Sequence, residues 1–130
     1  GANRVRTLLE GAPRRSADSQ VVAISSESCF VSAYTAIRML ADVALHANGF
    51  RTRSSVPGHH VIAIRALGST LGVDERVVAR LDKLRQQRNA AEYSGDIIPE
   101  SAVSECVRQA EALQKLTLTW LRKNKRDLLR

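Results

Sequence analysis

An all-α fold, an antiparallel up-and-down bundle of four to five helices, is what three features of the sequence predict. Apolar residues recur at three- and four-residue spacing over long stretches. Aromatic residues make up only 4% of a chain that is 44% hydrophobic and rich in alanine and leucine. No alternating polar and apolar run of useful strand length occurs. The 130 residues suit one domain with a real core, residues 1–130, and are too few for two of ordinary size. Short connections between long helices favour antiparallel neighbours.

The first element expected is a short helix from Asn3 to Glu10, stopped by Gly11 and Pro13, followed by a weakly patterned helical piece from Ala17 to Ile24. From Ser26 the pattern strengthens. Phe30, Ala33, Tyr34, Ile37, Leu40, Ala41, Ala44 and Leu45 keep to one helical face until Asn48-Gly49 supplies a C-cap. Pro57-Gly58 makes a loop of FRTRSSVPGHH. Val61, Ile64, Leu67 and Leu71 then mark a shorter helix that stops at Gly72. Asp74 is a good N-cap for the next helix, whose apolar line runs Val77, Leu81 and Leu84. Continued at the same rhythm, that line arrives at Arg88. Gly95 ends this helix, and Pro99 fits the first turn of the last one, with Val103, Cys106, Val107, Ala110, Leu113 and Trp120 facing inward.

A formal charge of +7 and a sequence pI near 10.2 point to an anionic partner such as nucleic acid. The distribution weakens the inference. Residues 121–130, LRKNKRDLLR, hold five basic groups and one acid and so supply +4 of the +7. Cations in a last helical turn complement the dipole, so this basic helical tail, 122–130, reads first as a solvated helix end. There is no run of about 18 apolar residues and no signal-like opening, so a cytoplasmic protein with no membrane partner is expected. Cys29 and Cys106 fit no metal or redox spacing and read as small, reduced core residues. His59, His60 and the cysteines own the donor atoms of a zinc site but not its spacing, so neither metal nor cofactor is expected. Ser25 to Ser28 and Asp74-Glu75 are explained by helix capping and the dipole, and LGSTLG lacks the lysine of a phosphate loop.

Arg88 is the residue that breaks pattern. A guanidinium stays charged in a protein, so on an apolar stripe it must be paired, reach water, or face a shared interface. Arg85, Asn89 and Tyr93 stand at successive four-residue steps beside it. Two forked cations, an amide and a phenol suit a phosphate backbone. The plainer reading of the same residues is an Arg88 bonded to helix-terminal carbonyls or to Glu92, with Tyr93 packing the last turn.

The segments SCFVSAYTAIRMLADVALHANGFR, GHHVIAIRALGSTLG and LDKLRQQRNAAEYSG, in that order and separation, resemble bacterial HEPN (higher eukaryotes and prokaryotes nucleotide-binding) domains over roughly residues 26–121. The resemblance implies a helical bundle, commonly a homodimer, in a toxin-antitoxin or other defence system, with a cognate antitoxin or nucleotidyltransferase as partner. In active members an arginine, a polar residue and a histidine four to six positions after the arginine form a metal-independent RNase site at a two-fold interface. Arg88 and Asn89 match the first two. Tyr93, Ser94 and Gly95 fall where the histidine would stand, and no histidine follows residue 60. An unperturbed tyrosine is a poor base at neutral pH, though it can still stack on a base or donate a hydrogen bond.

A substitute imidazole is expected from the hairpin about Gly72. Counting outward equally on both sides sets His59 and His60 level with about Arg85, where they would serve as catalytic partners of Arg88. The expectation is therefore an RNA- or nucleotide-binding domain using Arg85, Arg88, Asn89 and Tyr93, with RNase activity as its strongest form. The alternative is a catalytically inactive, antitoxin-like or scaffold bundle.

Overall fold

A computed structural model describes residues 26–50 and 59–129, and in its second segment the described side chains begin at Val61. The described residues form helices α1 (Ser26–Ala47), α2 (His59–Arg65), α3 (Leu67–Thr70), α4 (Glu75–Ser94) and α5 (Glu100–Asn124), followed by a 3-10 turn, Arg126–Leu129. No strand occurs among them. The helices expected at Asn3–Glu10 and Ala17–Ile24, and the Pro57-Gly58 loop, lie outside the described residues.

Helix ends follow their local chemistry. Past α1, the Gly49 amide donates to His46 O at 3.0 Å and the Phe50 amide to Leu45 O at 3.0 Å, with Gly49 at φ +84°. That pair of bonds satisfies carbonyls the helix leaves open and needs a left-handed residue, which glycine adopts without strain. Asp74 caps α4 by accepting from the Arg76 amide at 2.8 Å. Gly95, at φ +70°, ends it. The single helix expected from Val61 to Leu71 is instead broken at Ala66, where the Ser69 amide bonds only three residues back, to Ala66 O. That slip to a tighter turn separates α2 from α3.

Helix α1 is the core element. Phe30, Ile37, Leu40 and Val43 are fully buried, and α5 brings Cys106, Ala110, Leu113 and Leu121 against them. Tyr34, early in α1, lies under Arg88, late in α4. At the other end, Asn48 Nδ2 donates to Thr70 O at 3.2 Å. Helices α1 and α4 are therefore antiparallel. Helix α5 turns back on α4 through residues 95–99, and Cys106 Sγ lies 3.8 Å from Phe30 O, so α1 and α5 start at the same end and run in the same sense. The bundle does not alternate throughout.

By length and mean hydropathy, 1.3 over its best window, α1 could also cross a bilayer, but 56% of that window is buried inside the bundle. Its apolar face is occupied by the core, and its polar face carries Arg38, Asp42 and His46.

Candidate functional site

The antiparallel crossing of α1 and α4 leaves a cleft of about 260 Å³ lined by Tyr34, Thr35 and Arg38 from α1 and by Arg88, Asn89, Glu92 and Tyr93 from α4. Arg88 does continue the apolar line of its helix. Leu81 and Leu84 are buried, and one turn further the Arg88 side chain is 28% exposed, with its guanidinium carbon 6.0 Å from the centre of the Tyr34 ring. At that separation the ring face attracts the cation weakly. Arg88 Nη1 also donates to Glu92 Oε2, one turn ahead on the same helix. The guanidinium has five N–H groups, so this bond leaves donors for a ligand.

Tyr34 is the buried floor of the cleft. Burial pushes its phenol above the usual tyrosine value, against the pull of the Arg85, Arg38 and Arg88 charges. The hydroxyl therefore stays protonated and able to donate. Thr35 Oγ1 donates back to Val31 O at 2.7 Å, which satisfies its proton and leaves its oxygen as an acceptor. Asn89 is exposed, with its amide engaged by no side chain among the described residues, and Tyr93 is 82% exposed.

Of the four residues expected to bind, the structure brings Arg88, Asn89 and Tyr93 to one cleft. Arg85 stands one turn behind. Its Nε donates to Asp82 Oδ1 at 2.9 Å, with both side chains mostly buried, and Asp82 also takes Gln86 at 3.1 Å and lies 3.6 Å from Arg65. The Arg85 bond, aided by the charges of Arg85 and Arg65, holds the Asp82 carboxyl below the usual carboxylate range. Arg85, whose side chain is only 15% exposed and does not line the cleft, thus contributes field rather than a contact. Tyr93 does not pack the last turn of α4; it projects from it. The His59 and His60 side chains fall outside the described residues.

The sequence reading missed the α1 half of the site. Tyr34 sits on the core line that the apolar spacing predicts, but its ring is shared with the cleft. A signal was available in Arg38, the one lysine or arginine between Ser26 and Ala47, four residues after Tyr34. A lone cation on an apolar helix is the same anomaly that singled out Arg88. No protein-family model and no curated protein matches this chain.

Proposed function

We propose that the chain is a HEPN-like helical domain that binds RNA or a nucleotide in the α1–α4 cleft. One observation carries the reading: Arg88, at the end of an apolar line, is turned inward onto Tyr34 in a cleft where Arg38 lines the opposite wall. Two arginines lining one small concavity suit phosphate oxygens, Asn89 can orient a sugar or phosphate, and exposed Tyr93 offers a face for a base. In its strongest form the domain is a metal-independent endoribonuclease of a defence system, acting as a cytoplasmic homodimer. Arginines would stabilise the charge that builds on phosphorus, and His59 or His60 would move the proton in place of the histidine that Tyr93 replaces.

A second reading is an inactive interaction bundle, antitoxin-like or scaffold. The Arg88–Glu92 pair favours it, because the guanidinium has a carboxylate partner without any ligand. Cleavage of a mixed-sequence RNA in EDTA separates the two, comparing wild type, Arg88→Ala and His59→Ala/His60→Ala. The nuclease form expects cleavage by the wild type, lost in both variants. No cleavage and no RNA or nucleotide binding by folded wild type would leave the interaction bundle.

A further inference from the structure

The flank of α4 turned away from the Arg88 cleft carries a second feature. Arg80, Lys83 and Gln87 stand on α4 at one-turn intervals, and together with Ser101 and Glu105 of α5 they wall a groove of about 240 Å³ floored by Leu84 and Ala102. Arg76, exposed one turn before Arg80, extends the row. At 1.5 Å rise per residue the three cations span ~10 Å along the helix.

Among the described residues, the three carboxylates of α4 face elsewhere, and Asp74 before it accepts from the Arg76 amide as the helix cap. Asp82 faces Arg85 and Arg65, Glu92 holds Arg88, and Glu75 lines a different hollow beside Arg65. Glu105 is the acid inside the groove. It accepts from Arg108 at 2.6 Å and from Gln109 at 3.0 Å, and Arg80 is close enough to feel its charge. Two cations, Arg80 and Lys83, line the groove with one carboxylate, and that carboxylate is already paired with Arg108 beside it. The α4 row itself, Arg76, Arg80 and Lys83, is of one sign, where an ordinary solvated helix face intersperses both.

We infer that the α4–α5 groove is a contact track for the phosphodiester backbone of single-stranded nucleic acid, separate from the Arg88 cleft. The cations form a row rather than converging on a point, which fits a linear polyanion better than a small anion. Gln87 and Ser101 supply neutral donors at one end, and the apolar floor of Leu84 and Ala102 can take the edge of a sugar. The inference does not depend on what the Arg88 cleft binds or whether it cuts.

The test is fluorescence anisotropy with a labelled 20-nucleotide single-stranded RNA of mixed sequence, on the full chain, at a series of salt concentrations. Arg80→Gln/Lys83→Gln removes two exposed charges and no packing; Lys115→Gln/Lys123→Gln removes the same charge elsewhere. The groove pair is expected to weaken binding at least tenfold and to lower the slope of log affinity against log salt by about 1.4, the single-strand value for two lost contacts. The control pair should change affinity less than threefold. Equal losses in both pairs, no binding by the wild type, or competition by poly-glutamate as effective as unlabelled RNA at equal charge would overturn the assignment.

Discussion

Arg88 is held by two weak interactions whose loss can be separated from the loss of a ligand. A cation over a ring at 6.0 Å contributes about 0.5 kcal/mol, and a four-residue acid–base pair on a helix contributes about 0.3–0.5. Arg88→Ala should therefore cost about 1 kcal/mol, roughly 4 °C in Tm for a chain of this size. Arg88→Lys keeps the charge opposite Glu92 but loses the planar fork, so most of that stability should return. Nucleotide affinity should not return if the fork binds phosphate: both variants are expected to bind AMP or a short RNA at least tenfold more weakly than wild type in calorimetry. Wild-type affinity in Arg88→Lys would remove the fork from the site. Residue-scale reasoning from sequence found Arg88 because charge on an apolar line has a cost that demands a partner. It could not find the partner. Tyr34 and Arg38 lie some fifty positions away, and only the crossing of α1 with α4 brings them to Arg88.

Element boundaries were legible wherever one residue type carries the physics. Asp74, Gly49 and Gly95 sit at the caps their chemistry requires, with both glycines at positive φ. The break at Ala66 was not legible, because the apolar spacing of Val61, Ile64, Leu67 and Leu71 continues across it and no proline or cap marks the slip. The glycines give a paired test of this account. A Cβ added at Gly49 would meet nothing within 4 Å, so Gly49→Ala is penalised only by its left-handed backbone. It should lose about 1 kcal/mol. Gly68 is helical, exposed, and its added Cβ would stand 3.6 Å from Val73 O, an ordinary contact. Gly68→Ala should gain about 0.5–1 kcal/mol by restricting the unfolded chain and favouring the helix. Urea midpoints moving in opposite directions are the expected outcome; two losses would show that α3 needs the glycine for a reason other than backbone freedom.

Across the whole molecule, the all-helical class was readable because burial imposes the 3.6-residue period on every long segment, while the shared direction of α1 and α5 was not, since helical periodicity carries no sense of direction. The same burial sets how the bundle responds to pH, with one limb on each side. On the acid side, Arg85 holds the Asp82 carboxyl low, and hydrogen bonds from Gln109 and Arg108 do the same for Glu105. A carboxyl lowered in the folded state contributes stability above its unfolded pKa of about 4 and loses it as pH falls through the folded value. On the alkaline side, burial pushes the Cys106 thiol up to about 12 and raises the Tyr34 phenol. Both groups keep their protons in the fold after the unfolded chain has released them, so their contribution is complete below pH ~8.5 for the thiol and ~10 for the phenol and declines as pH rises through the folded values. Urea midpoints should therefore fall below pH ~4 and again above pH ~9. Cys106→Ala should lower the midpoint everywhere by leaving a small void beside Phe30, yet make the alkaline decline shallower, because the group that resists ionisation is gone. An unchanged alkaline slope in that variant would mean that Cys106 reaches solvent in the native ensemble and that the α1–α5 contact at the core opens below the global unfolding transition.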